Sequence, residues 1–391
     1  MRKVRFRRFR ARFLLLTFSV VTAFLIAEAG LRLVGYSTGN FYRRDDLIGV
    51  THRPGAEGWW TREGRDYIRI NSDGLRDREH PIAKPANTFR IAILGDSYAE
   101  AIQLPMQLAF WSIMESRLQS CAAVANERVE VINFGVSGYG TAQELLTLRE
   151  KVWKYDPDVV LLAVTTGNDI SDNSRALKRA DDLPYFVLAN EQLVLDDSFR
   201  NSQALRWHRT RLGQAWESLI NHSAALQTIR EGILAMSDSY HKRTGAANPD
   251  EALFNEPYHA PRDAAWNDAW RVTEALIVEI NKEVRSKGRQ FFLVTLSNPA
   301  QVNPDPKYRA DFIQQNGISD LFYPDRRIQS LCEREGIASL ILAPKLQEYA
   351  EHNHVFLHGF EARIGKGHWN ERGHALAGEL IADWLCPQLS R

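Results

Sequence analysis

Four short apolar runs, each ended by turn residues and separated by stretches of helical period, constrain this chain more than any other feature in it. They read FRIAILG (89–95), VEVINFG (129–135), VVLLAVT (159–165) and QFFLVTL (290–296), with a weaker fifth, ASLILA (338–343). Continuous apolar runs of this length are strands buried on both faces. The amphipathic stretches 105–119, 142–155, 265–286 and 325–335 supply covering helices. A last helix opens at Asn370, an N-cap residue with Glu371 in its first turn. Strands alternating with helices specify an α/β chain whose parallel sheet is covered on both faces. Ligands of such sheets sit beyond the carboxyl ends of the strands, so the residues following each run are where chemistry belongs.

Two regions break the alternation. Residues 38–86 are rich in Gly, Arg, Asp and aromatic residues, including Trp59, Trp60 and NSDGLRD (71–77). They read as loops and hairpins joining the N-terminal segment to the core. An insertion at about 175–264 shows little strand pattern but several helical stretches and many Trp, Tyr and His residues. It reads either as a lid or specificity element or as a helical subdomain covering one sheet edge.

The N-terminus has its own logic. Seven of the chain's 49 Lys and Arg residues fall within the first twelve positions, which leaves 42 against 48 Asp and Glu in the remainder. A mildly acidic body argues against nucleic acid as a partner. The uncharged run FLLLTFSVVTAFLIA (13–27) follows, then Glu28 and AGLRLVGY. Fifteen residues are short for a span, but the helix can continue through 29–34. Basic tail inside and body outside is the orientation the positive-inside rule gives. A cleaved signal peptide is the rival reading, because Ala27-Glu28-Ala29 has the A-x-A form. The expected organisation is a cytoplasmic tail (1–12), a single-pass inner (plasma) membrane anchor (13–34), a connecting segment (35–87) and an extracytoplasmic domain (88–391). An exported chain can pair two of its three cysteines, and Cys332 with Cys386 would staple the last helix.

The strand ends carry the candidate chemistry. After the first run comes GDSYAEA (95–101), with Ser97 at the start of a helical stretch. After the second comes the Gly-rich NFGVSGYGT (133–141), and after the third TTGNDISDN (165–173), where Asn168 can aim an amide into the same place. Near the C-terminus stands GKGHWNERGH (365–374), with His368. Each block alone is also explained by N-caps, Asx-turns or ordinary turn glycines. Together, in this order and at successive strand ends, they are a site.

This ordered set resembles the SGNH/GDSL hydrolase superfamily, over about residues 88–387 apart from the insertion. The resemblance implies a flavodoxin-like three-layer α/β/α sandwich with about five parallel strands. It implies Ser97 as nucleophile, His368 as general base, and an oxyanion hole formed by the Ser97 and Gly138 N–H groups with the Asn168 side chain. No cofactor and no metal are implied. Members usually carry an aspartate two or three residues before the histidine, where this chain has Lys366 and Gly365. Three explanations stand open: a Ser–His dyad held by a backbone carbonyl, a carboxylate from elsewhere such as Glu361 or an acid of the insertion, or a degenerate site. His374 is a rival base, although its place inside a helix suits packing better. His352, His354 and His358 lack companion acids or cysteines at metal spacing, and the Gly-rich turns match no nucleotide-binding motif. The expected activity is removal of an acyl group, acetyl by resemblance, from an extracytoplasmic ester such as a carbohydrate, through a Ser97 acyl-enzyme. The alternatives are O-acetyl transfer to an envelope or exported polysaccharide, and non-catalytic glycan binding.

Overall fold

All five apolar runs are strands. The computed structural model describes residues 2–244 and 253–389; residues 245–252 of the insertion, and the side chains of 2–8 and 237–244, lie outside that description. Before the core, β1 (Tyr42–Asp45) pairs with β2 (Gly49–His52) and β3 (Glu57–Trp60) with β4 (Asp66–Arg69), both antiparallel. The central sheet contains β5 (Thr88–Gly95), β6 (Arg128–Asn133), β7 (Val159–Thr165), β10 (Gln290–Leu296) and β11 (Ala338–Ile341); β8 (Tyr185–Ala189) and β9 (Gln192–Asp196) lie in the insertion. All neighbours in it are parallel, in the order β11-β10-β7-β5-β6. Counted along the chain this is the flavodoxin-like 2-1-3-4-5 order, with its switch point between β5 and β7.

The pleat of β5 shows why three layers form. Ile91 and Ile93 face a cluster with the helices Phe110–Leu118, Ala343–Asn353 and Glu371–Leu385. Ala92 and Leu94 face a second cluster with Thr141–Glu150, Ala264–Ser286 and Tyr323–Glu335. Both faces are thus apolar, and each fully buried side chain of Val, Leu, Ile or Phe size contributes about 1.5–3 kcal/mol. The last helix starts as its sequence requires: the Asn370 side chain accepts from the N–H groups of Arg372 and Gly373.

Two expectations need correction. The insertion is not purely helical, because β8 (Tyr185–Ala189) and β9 (Gln192–Asp196) form a hairpin. Its turn residues Asn190 and Glu191 both have positive φ, 50° and 61°. This is the primed-turn geometry that matches strand twist, and Asn at the first position was its signal. The disulfide joins Cys121 to Cys386, and Cys332 is a buried free thiol. Cys332 faces the second cluster, on the other side of the sheet from the last helix, so it cannot meet Cys386.

Among the described residues the insertion also carries the helices Gln203–His208, Arg211–His222 and Ala224–Thr244, with shorter helical turns such as Arg175–Lys178 and Ser198–Asn201. At the N-terminus one helix runs Arg2–Leu33, and its portion Phe9–Leu33 is long and apolar enough to cross a membrane.

Candidate active site

Ser97 stands immediately past the carboxyl end of β5, at the switch point. Asp96 caps the short helix Ser97–Glu100, accepting from the Tyr98 N–H at 3.0 Å. Asp96 also accepts from Thr165 Oγ1 at 3.0 Å and from Asn168 Nδ2 at 3.1 Å, which ties the end of β5 to the end of β7. Burial pushes the Asp96 carboxyl above its usual value, against the pull of those bonds.

His368 comes to Ser97 from the opposite end of the chain. Its Nε2 lies 2.8 Å from Ser97 Oγ, and its Nδ1 lies 2.6 Å from Glu63 Oε2. With Nδ1–H donating to the carboxylate, Nε2 is left as the acceptor for the serine hydroxyl. The other Glu63 oxygen accepts from the His368 backbone N–H at 2.8 Å, so the carboxylate grips ring and main chain together. The Glu63 side chain is 10% exposed and the His368 side chain 26%. Burial disfavours the charged ring, but the Glu63 hydrogen bond and charge outweigh it and raise His368 above its ordinary value. For Glu63 burial works upward, and His368 outweighs it and holds the carboxylate low.

Glu63 answers the question left by Lys366 and Gly365. It lies neither at Glu361, which is exposed, nor in the insertion, but in the loop between β3 and β4, within the segment read from sequence as a connection. Trp60 Nε1 donates to the Glu63 carbonyl at 2.8 Å and fixes the loop. Gly367 lets the carboxylate in: its φ is +77°, and a Cβ there would fall 2.0 Å from Glu63 Oε1. The glycine before His368 was therefore the available signal that an acid approaches the histidine across space. Its partner could not be chosen among 48 acidic residues by sequence spacing.

The Gly138 turn and Asn168 are each tied to the segment around Ser97, the first through Ser137 to Glu100 and the second directly to Asp96. Gly138 has φ +80°, is exposed, and has nothing within 4 Å of where a Cβ would stand. Ser137 before it donates its N–H to Glu100 Oε2 at 3.1 Å, and its hydroxyl to the same oxygen. Among the described residues, the Ser97 and Gly138 N–H groups have no acceptor. Asn168 gives its amide hydrogens to Asp96 and, at 3.2 Å, to Asp172 Oδ2. Two of the three expected donors are thus free, and the third must turn one hydrogen away from a carboxylate.

Glu100 is a site residue that the sequence did not mark. Fully buried, it accepts from Tyr42 Oη at 2.7 Å and from His52 Nε2 at 2.6 Å as well as from Ser137. Burial pushes its carboxyl up, and these bonds hold it below its usual value. The N-terminal hairpins therefore support both His368 and the Gly138 turn.

Of the other histidines considered from the sequence, two are buried in the packing and two are exposed. His374 is buried between Phe110 and Trp369 and accepts from the Phe110 N–H at 3.2 Å; burial pushes its pKa down to about 3. His358 is buried, with Nδ1 2.8 Å from the Gly367 carbonyl, and is likewise pushed down to about 3. His352 and His354 are exposed at the end of the helix Ala343–Asn353.

Beside the centre is a cleft of about 670 Å³ between the N-terminal hairpins and the inserted helices, lined by residues that include Asn40, Trp60, Ser137, Trp207, Trp216 and Asn221. Ser97 and His368 do not line it. It meets the centre at Ser137, next to Gly138, and at Arg62, next to Glu63. Arg62 makes a two-pronged ion pair with Glu231, both bonds 2.8 Å, which ties the Glu63 loop to the insertion.

No protein-family model matches the sequence, and no curated protein matches it. Among solved structures the chain is similar to the acetyl xylan esterase AlAXEase, at 13% identity and a TM-score of 0.35, covering 77% of this chain and 100% of that one. It is also similar to a variant of an acetyl-xylooligosaccharide esterase from Geobacillus Stearmophilus, at 13% identity and a TM-score of 0.37, covering 76% and 94%. A third is a lipase/acylhydrolase from Enterococcus faecalis, at 16% identity and a TM-score of 0.36, covering 77% and 97%.

Proposed function

We infer that this chain is a serine ester hydrolase of the SGNH/GDSL kind, with Ser97, His368 and Glu63 as its catalytic triad. One observation carries the inference: a serine, a histidine and a carboxylate joined by contacts of 2.8 and 2.6 Å at the switch point of a parallel sheet. His368 takes the proton of Ser97 as its oxygen attacks the acyl carbonyl, and Glu63 stabilises the imidazolium that forms. The N–H groups of Ser97 and Gly138 receive the oxyanion, joined by Asn168 once its amide turns from Asp172. Each such donor lowers the barrier by about 3 kcal/mol. His368 then returns the proton to the departing alcohol, and water releases the acyl group by the same steps in reverse roles.

Trp60 and Trp207, with Asn40 and Asn221, line the adjacent cleft and support a carbohydrate as the alcohol, since sugars stack their apolar faces on aromatic rings and hydrogen-bond around their edges. The basic tail, the apolar helix and the Cys121–Cys386 disulfide support an anchored body on the oxidising side of the membrane. The test is hydrolysis of p-nitrophenyl acetate by the wild type, Ser97→Ala and His368→Ala. Activity abolished in both variants is the expected result. A wild type no faster than Ser97→Ala would count against the reading. Adding sugar acceptors to the same assay separates hydrolysis from acyl transfer.

A further inference from the structure

The inserted helices Arg211–His222 and Ala224–Thr244 carry apolar side chains that are exposed among the described residues. Leu212, Trp216 and Leu219 on the first are 73, 50 and 52% exposed; Ile229, Ile233 and Met236 on the second are 52, 63 and 74%. Both triplets have the spacing i, i+4, i+7, which places each on one face of its helix. Two apolar stripes on consecutive helices are more than the scattered exposure of an ordinary surface.

Where the helices join is the second observation. Ser223 Oγ and the Ala225 N–H donate to Glu28 Oε2, each at 2.9 Å, and Arg32 donates to the other Glu28 oxygen at 2.6 Å. Arg32 also donates to the His222 carbonyl at 2.5 Å. Glu28 is the first charge after the apolar run 13–27. A carboxylate at the end of a span is costly unless its oxygens are satisfied. Here the junction of the two helices and Arg32 satisfy them, so the junction sits wherever Glu28 sits.

Length locates that place. Fifteen helical residues cover about 22 Å, against a hydrocarbon core of about 30 Å. With Phe13 at the inner boundary, Glu28 lies about 8 Å inside the outer one, the crossing being completed by the helix up to Leu33, and that depth falls within the 5–10 Å to which amphipathic helices sink at a membrane interface. Trp216 in the stripe suits that depth, where indole rings concentrate.

We propose that the two helices lie on the outer leaflet of the bilayer with their apolar stripes in the headgroup–acyl boundary, so that the body is held flat against the membrane its N-terminal helix crosses. This rests on the anchor reading but not on the catalytic one. The occupant is lipid, because the stripes begin at the end of the apolar helix itself. Through Arg62 and Glu231 the same helices hold the loop that carries Glu63, which ties the Ser97–His368 pair to the membrane-facing helices.

The full chain, with Cys332→Ser to remove the free thiol, is reconstituted into phosphatidylethanolamine–phosphatidylglycerol vesicles containing brominated lipids. An environment-sensitive fluorophore is placed in turn through Ala23→Cys, Leu219→Cys, Ile233→Cys and Ser286→Cys. Ala23 lies in the apolar run, and Ser286 is exposed at the opposite end of the sheet. Labels at 219 and 233 should lose most of their fluorescence to lipids brominated near the headgroup, the label at 23 to lipids brominated deep in the chain, and the label at 286 to neither. If 23 is quenched while 219 and 233 behave like 286, the helices stand in water and the proposal is wrong. If 219 and 233 shift to the blue without lipid quenching, a second copy or another protein covers them, and the proposal is equally wrong. If 23 itself escapes quenching, the anchor reading fails separately.

Discussion

Replacing Glu63 by Gln tests the least expected part of the site. The variant keeps the size of the side chain and an oxygen able to accept from the His368 N–H, so the loop between β3 and β4 should stay in place. It removes the charge beside the ring and turns an acceptor of the Nδ1–H into a donor. Two unit charges about 4 Å apart in a half-buried site interact by about 4 kcal/mol. At 1.36 kcal/mol per decade that is about a 10³-fold loss of kcat. Wrong tautomer selection extends the expected range to about 10⁴-fold. The pH profile supplies a second readout. Glu63 raises the His368 pKa, and the base must be neutral to act, so wild-type activity falls as pH drops through a value above 6.5. Without the charge, that acid limb should move to lower pH. The assay is p-nitrophenyl acetate hydrolysis from pH 4 to 9, with thermal melts to show that the variant is folded. A Glu63→Gln enzyme with near-wild-type kcat and an unmoved acid limb would refute the reasoning and return His368 to a dyad.

Three further outcomes follow from the structure. Glu100→Gln should lower kcat by about 10²-fold, because the Ser137–Gly138 turn loses the charge that holds it, and misplacement by about 1 Å costs that much; kcat and KM measured separately will show it. Titrating thiols in the unfolded, unreduced chain should find one, Cys332, and reduction should reveal all three. His374 is neutral in the fold down to about pH 3 and titrates near 6.5 when unfolded, so its contribution is lost as pH falls between those values. In urea melts from pH 6 to 4, His374→Gln should therefore lose less stability than the wild type, by about 1.4 kcal/mol per pH unit.

The sheet was legible because each strand is a continuous apolar run, and burial on both faces leaves such a run no other use. The meeting of Ser97 with His368 could be anticipated because a local block of sequence surrounds each. That of Glu63 could not, because its loop meets His368 only after the chain has folded across 305 residues of separation. Glu100 resembles any helical glutamate until His52 and Tyr42 arrive from a hairpin that carries no apolar run. The β8–β9 hairpin was hidden by its half-exposed face, which weakens the alternation that marks a strand. The disulfide could not be chosen from three cysteines without knowing which sheet face each occupies.

The most direct measurement is the mass of the full chain after treatment with a fluorophosphonate, which phosphonylates only an activated serine. The wild type should gain one adduct, mapped to the peptide containing Ser97, while Ser97→Ala and His368→Ala gain none and Glu63→Gln reacts far more slowly. An unlabelled wild type, or an adduct on another serine, would contradict the triad.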